Sequence, residues 1–257
     1  MSAIGDAYSS GAAAWAEGPT RVYGRLADLL VAFSPEPVAG RRVLDLGSGT
    51  GAGSRAACAA GAGRVVAADL ALGMLLNGRE DRPPATVGDA TALPFRAGAF
   101  DVVLAPFSLN HLDDPAAGVR EAGRVGRSLV ASTYAADDDH PVKAAVEKAL
   151  SEVGWTRPHW YADIKAAMAA WDSIDGAADA IERGGMRPVR VIHETIAFPE
   201  LSPEEMAAWR LGMAQSAGFV DALDARQQAD LLARSVALLG PDPEPVERRV
   251  IFLAATR

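Results

Sequence analysis

VLDLGSGTGAG, residues 43–53, sets four glycines, an aspartate and a threonine behind a short aliphatic run. Glycine gives up more backbone freedom on folding than any other residue, so four in seven positions mark a loop shaped around something. A P-loop ends in Gly-Lys-Ser/Thr; here Gly51 is followed by Ala52, which rules that reading out. The dinucleotide pattern G-x-G-x-x-G/A is met by Gly47, Gly49 and Ala52, a weak signal by itself. Asp45, two residues ahead of Gly47, discriminates between ligands. It repels a pyrophosphate and attracts an ammonium or sulfonium. The loop therefore reads as a seat for an amino-acid-like group, its ammonium reaching Asp45 directly or through water and its carboxylate approached by loop amides.

The flanking sequence supplies the frame. RRVLDL (41–46) reads as a buried strand running into the loop, and SRAACAAGA (54–62) as an alanine-rich helix after it. Strands follow at 64–70, 85–90, 100–109 and 128–133, with helices at 71–80 and 114–127 between them. The run FDVVLAPFSL is continuously apolar, as a central parallel strand must be. Asp114 and Pro115 open the second of these helices as N-cap and first residue. Strands alternating with helices over 41–133 predict a doubly wound parallel sheet. Residues 134–172 and 202–247 break the rhythm with extra helices, the second set opened by Ser-Pro-Glu-Glu, and strands at 187–198 and at the C-terminus complete the pattern. The expected architecture is a single Rossmann-like domain over 1–257: a helical cap over 1–40, a cofactor-binding half over 41–133, and two helical insertions that form a lid.

Two more acids punctuate the strands. Asp69 ends the second, 18 residues after Gly51, where a carboxylate accepts from ribose hydroxyls. Asp89 ends the third, placed to accept from an adenine amino group, with the Ala90 N–H near for a ring nitrogen. Three carboxylates at three successive strand ends fit adenosine joined to an amino acid, the shape of S-adenosylmethionine.

Composition narrows the partners. The net charge is −8, Lys occurs only at 143, 148 and 165, and no basic stripe is visible, which argues against nucleic acid. The single Cys58 rules out an intramolecular disulfide and a multi-cysteine zinc site, and no metal is expected. The N-terminal MSAIGDAYSSG lacks the basic and apolar regions of a secretory signal, and no apolar run reaches the about 20 residues of a membrane span. The chain reads as a soluble cytoplasmic protein, monomeric or homodimeric, acting on a small molecule.

At VLDLGSGTG, VVAADLALGML, VGDATALPFRAGAFDVVLAPFSLNHLDDPAAGVREAGRV and LVAST the chain resembles the class I S-adenosylmethionine-dependent methyltransferases, in particular the small-molecule enzymes of the ubiquinone and menaquinone type. The resemblance covers about 41–133 and implies a mostly parallel seven-stranded sheet with an antiparallel strand near the C-terminus. It implies Asp45, Gly47, Gly49 and Gly51, with Thr50 of the same loop, around the methionine moiety. Asp69 then lies on the ribose, Leu70 flanks the adenine, and Asp89 with Ala90 reads its edge. The stretch from Pro106 through Asn110 to His111 lies by the sulfonium. AYSSGAAAWAEGPTRVY is similar to a segment that closes over the cofactor, which makes Tyr8 and Tyr23 cofactor candidates. Two departures are mild: the usual Pro-Gly-Gly before the fifth strand is reduced to Gly126, and the usual Ser after Asp69 is Ala71.

His111 follows APFSLN at the end of the fourth strand. A neutral imidazole there takes a proton from an acceptor hydroxyl or amine, or else fixes the loop by a hydrogen bond. Trp15, His159, Trp160 and Tyr161 are candidates for the acceptor pocket, with lid packing as the plain alternative. Cys58 reads as core packing. An RNA or DNA methyltransferase on this fold commonly carries Asn/Asp-Pro-Pro-aromatic after the fourth strand, of which APFS keeps only Pro106 and Phe107. A third reading is a cofactor-retaining catalyst of another reaction, such as a cyclisation. The acceptor atom, whether O, N or C, stays open.

Overall fold

The computed structural model describes residues 3–257 except Gly78. Met1 and Ser2, which open the stretch read as leaderless, lie outside the described residues. Three helices lead the chain: α1 (Ala3–Ser10), α2 (Ala12–Glu17) and α3 (Thr20–Ala32). The alternating half then runs β1 (Arg42–Leu46), α4 (Ala52–Ala59), β2 (Arg64–Asp69), α5 (Leu72–Leu76), β3 (Ala85–Val87), β4 (Val102–Pro106), α6 (Pro115–Val125) and β5 (Ser128–Tyr134). The first insertion supplies α7 (Pro141–Glu152) and α8 (His159–Met168), followed by α9 (Ile174–Arg183) and β6 (Arg187–Phe198). The second supplies α10 (Pro203–Leu211), α11 (Ala214–Asp221) and α12 (Ala225–Leu239) before β7 (Val246–Thr256).

The seven strands form one sheet in the order β3-β2-β1-β4-β5-β7-β6. All pairs through β5 are parallel, and β7 runs antiparallel to both neighbours. The order reverses between β1 and β4, which opens a crevice beyond their carboxyl ends. Each face carries its own core. One packs α3, α4, α7, α10 and α12 on residues such as Val43, Leu104 and Phe252; the other packs α6 and α9 on Leu44, Val103 and Leu129. Central strands covered on both faces are largely apolar, as β4 is throughout, while β1 carries Asp45, and β5 Ser132 and Thr133, toward their carboxyl ends.

The sequence signals for capping are realised. Asp114 accepts from the Ala116 N–H at 3.1 Å, and Ser202 with Glu205 forms a reciprocal capping box on α10. Two expectations need correction. Cys58 is exposed: Ala56 and Ala57 fill the buried side of α4, and the next residue is turned about 100° further, out to solvent. The third strand stops at Val87, so Asp89 sits two residues beyond it, in a turn where its Oδ1 accepts from the N–H and Oγ1 of Thr91, both at 2.7 Å.

Candidate functional site

Gly47, Gly49 and Gly51 all have positive φ (+69°, +52° and +93°), conformations that L side chains adopt at a cost. Gly47 has a second reason to be glycine. A Cβ there would lie 2.1 Å from the Ser108 Cβ, while Ser108 Oγ donates to the Leu46 carbonyl at 2.7 Å. The loops after β1 and β4 are thus pressed together at the crevice. The Gly49 N–H donates to Asp69 Oδ2 (2.7 Å) and the Ala71 N–H to Oδ1 (2.8 Å), tying the glycine loop to the end of β2. Each carboxylate oxygen has a second lone pair, so Asp69 remains able to accept from a ligand. Burial raises its pKa, against the pull of those two backbone donors.

Asp45 lies beneath the loop, fully buried. Its Oδ2 accepts from Ser54 Oγ at 2.6 Å, and its Oδ1 has no partner. Burial lifts its pKa to about 6 against the opposing Ser54 bond. Thr50 is buried as well, with Oγ1 3.4 Å from that of Thr20 on α3. Leu70 projects 46% exposed beside Asp69, available as a hydrophobic wall. Asp89 is exposed and Ala90 half-buried, at the next strand end out.

Arg82, which the sequence reading passed over, braces this loop. It donates to the Gly49 carbonyl (2.9 Å), Ser48 Oγ (3.3 Å) and the Met74 carbonyl (2.9 Å). It is also the cation that Asp45 and Asp69 feel. No motif announces it, because its role arises only where the segment before β3 folds back over the loop.

Beyond β4, Phe107 is the one non-glycine among the described residues with a positive φ, +52°. A side chain held in that sparsely populated region follows from the chain turning sharply after half-buried Pro106. Asn110 is buried with Oδ1 unpartnered. His111 is half-buried; its Nε2 lies 3.2 Å from Tyr8 Oη, and its Nδ1 has no partner. Burial, helped by the Lys165 cation, pushes its pKa down to about 4, so the ring is neutral at pH 7.

The N-terminal helices bring aromatic rings over these loops. Tyr8 meets Trp15 edge-on at 5.4 Å between centroids, Trp15 meets Tyr23 at 4.8 Å, and Tyr23 meets Phe107 at 5.3 Å. Phe107 in turn stacks on Tyr134 at 4.4 Å. Tyr161 is within electrostatic reach of Tyr8 and Tyr23. Trp160 lines a separate cavity of about 300 Å³ with Trp155 and Phe219, and His159 is exposed. Of the four acceptor-pocket candidates, Trp15 therefore joins the array over the strand ends, while Tyr161 meets Trp160 edge-on at 6.0 Å. Tyr134 was missed because a tyrosine ending an apolar strand carries no signal of its own.

The residues present fit the adenosine-plus-amino-acid group. Asp45 Oδ1 and Asn110 Oδ1 are buried acceptors without donors, which is what an ammonium requires, and Asp69 keeps acceptor capacity for hydroxyls. Among the described residues no group of three or more His, Cys, Asp or Glu is placed to hold a metal, and no helix is long and apolar enough to cross a membrane.

Known proteins share the family and the fold. The family model "Methyltransferase domain" matches residues 44–129. A demethylmenaquinone methyltransferase of Mycobacterium sp. (strain KMS) is 35% identical over 161 residues, 59% of this chain and 70% of that protein. The fold is shared with phosphoethanolamine N-methyltransferase 2 of Haemonchus contortus, solved with phosphomonomethylethanolamine and S-adenosylhomocysteine. There the TM-score is 0.51 at 17% identity, covering 90% of this chain and 52% of that one. It is shared equally with the [4+2]-cyclase SpnF, at TM-score 0.52 and 17% identity over 91% of this chain and 80% of that one.

Proposed function

Because the chain belongs to the class I S-adenosylmethionine-dependent methyltransferases, we propose that its acceptor is a small planar organic molecule held under the aromatic array at the ends of β4 and β5. S-adenosylmethionine supplies a methyl group already activated on a sulfonium, so the protein's work is to hold, align and dry the reactants. In this reading Asp45 and Asn110 hold the ammonium, the Gly47–Gly51 loop with Thr50 cradles the methionine moiety, and Asp69 takes the ribose hydroxyls. Leu70, Asp89 and Ala90 frame the adenine, Pro106 borders the reacting sulfur, and Tyr8 and Tyr23 close the roof. Trp15, Tyr23, Phe107 and Tyr134 present rings suited to a flat acceptor, with Tyr161 a further candidate beside Trp160. His111 is the proton acceptor, acting in its neutral form through Nε2 with Tyr8 Oη as the bridging hydroxyl.

The observation that carries the cofactor assignment is the Asp69 carboxylate, clamped by two loop amides yet with lone pairs free. Relatives named demethylmenaquinone methyltransferases make reduced quinone rings the first acceptors to assay. The test is calorimetric titration with S-adenosylhomocysteine, beside Asp69→Ala and with NAD in parallel. Micromolar binding that collapses in the variant supports the site; binding of NAD and not of S-adenosylhomocysteine overturns it. A cyclase reading predicts that no acceptor in a quinol, phenol and amine panel gains a labelled methyl although the cofactor binds.

A further inference from the structure

Three buried side chains cluster past the end of β5 with polar atoms that nothing in the chain satisfies: Nη1 of Arg248, Oη of Tyr134 and Nε1 of Trp209. They are 3%, 9% and 1% exposed. The Arg248 guanidinium carbon lies 3.8 Å from the Tyr134 ring centroid and 4.8 Å from that of Trp209, so all three belong to one assembly. The strand register explains the placement. Val250 pairs with Tyr134, the last residue of β5, so Arg248, still paired with Ile196 of β6, lies past the carboxyl end of β5 on the side where the site lies.

The charges there do not balance. Arg248 gives Nε and Nη2 to the Asp138 carboxylate at 2.9 and 2.7 Å, and Lys143 Nζ takes the same carboxylate at 2.9 Å. Two cations share one buried acid, leaving one positive charge over. The second acid near Lys143, Asp139, is 3.7 Å away and largely in water. Burial pushes the Tyr134 phenol well above its usual pKa, and its hydroxyl leaning on the neighbouring Tyr23 phenol adds to the shift, which keeps it a donor; that contact is too loose to satisfy the hydroxyl. Buried donors without acceptors are uncommon in folded proteins. Here three of them accompany two cations that share one buried carboxylate.

We propose that Arg248, Tyr134 and Trp209 form an anion site for the methyl acceptor, which therefore carries a negatively charged oxygen, as a carboxylate or an acidic enol, on its flat ring system. The inference rests on placing the acceptor at the ends of β4 and β5. Tyr134 connects the two regions, since its ring stacks on Phe107 and also carries the Arg248 guanidinium. The site orients the acceptor by its anionic oxygen and selects against neutral analogues, whose groups leave the donors unanswered.

The test uses the full chain saturated with S-adenosylhomocysteine, titrated with 2-naphthoate and its neutral counterpart 2-naphthamide. A hydroxynaphthoquinone anion beside the parent naphthoquinone separates enol from carboxylate. Each anion should bind about tenfold or more tightly than its neutral partner, as a charge-assisted hydrogen bond warrants. Tyr134→Phe removes only a hydroxyl, so its thermal unfolding should stay close to the parent's while the anion preference shrinks; Trp209→Phe should shrink the preference too, at a lower melting temperature because it leaves a cavity in the core. Arg248→Lys should abolish that preference, and the two milder variants carry the test if it fails to fold. Equal affinity for anion and neutral analogue, with S-adenosylhomocysteine still bound, overturns the anion site and leaves these donors to ordered water. Loss of S-adenosylhomocysteine binding by the parent overturns the cofactor reading instead.

Discussion

Asp45 sits buried under the glycine loop with one oxygen on Ser54 and the other empty, and it titrates near pH 6. Its folded pKa lies above the ordinary carboxylate value. Its contribution to stability is therefore present below about pH 4 and lost as the pH rises through 6, an effect of about 3 kcal/mol. A ligand ammonium prefers the ionised form, so binding and stability pull in opposite directions. Affinity for S-adenosylhomocysteine should weaken by up to about tenfold per pH unit below pH 6. Asp45→Asn should flatten that dependence while raising the melting temperature at pH 8. Calorimetry from pH 5 to 8 checks both; a constant dissociation constant in the parent means the ammonium does not use Asp45. His111 differs in kind. With its pKa near 4 it is already neutral throughout that range, so its contribution to turnover should be flat from pH 6 to 8. His111→Ala should lower kcat about a hundredfold if the ring accepts the proton; a loss below about tenfold leaves it only as the anchor of Tyr8.

At the scale of elements, α5 lacks a cap of its own. Ala71 occupies its N-cap position without a side-chain acceptor. The Gly73 N–H is instead met at 3.2 Å by Ser9 Oγ of α1, and a Cβ on Gly73 would lie 2.2 Å from the Ser9 carbonyl oxygen. The N-terminal cap and the cofactor half are thus joined at a helix start. Ser9→Ala should cost about 1 kcal/mol in urea unfolding and weaken cofactor binding by loosening α1. Adding Ala71→Ser should restore the stability without restoring the affinity, because the new hydroxyl caps α5 but does not hold α1. Full recovery of both would mean that Ser9 acts on α5 alone.

Across the whole molecule, Asp138 gathers α7, through Lys143, and β7, through Arg248 and the Arg249 N–H. Burial by itself would raise its pKa, yet Arg248 and then Lys143 hold it down to about 2. A depressed carboxylate stabilises the fold above its ordinary pKa, and the contribution is lost as the pH falls from about 4 through 2. That amounts to about 2 kcal/mol. Asp138→Asn leaves two buried cations with no carboxylate between them and should cost about 3 kcal/mol or more at pH 7. Acid titrations followed by circular dichroism should show the parent losing stability between pH 4 and 2, with a shallower slope in the variant. Parallel slopes would show that Asp138 does not govern acid unfolding.

The strand–loop–helix repeat, the glycine loop and its acids were legible because each depends on residues close in sequence. Gly47, Asp45 and Asp114 act through backbone conformation, a loop's own charge and a helix start, all set within a few positions. Even so, the buried position of Asp45 is visible only when α4 folds back with Ser54. The face on which Cys58 falls depends on which side of α4 meets the sheet. Arg82, Tyr134, Trp209 and Arg248 were not legible, since each acquires its role from partners brought together from distant segments. Sequence by itself determined the layering, the cofactor-binding frame and the chemistry it supports, because local propensity and hydrophobic period specify those. The tertiary structure alone decided which groups are buried together past the ends of β4 and β5, because burial and charge pairing are properties of packed side chains and not of their order along the chain.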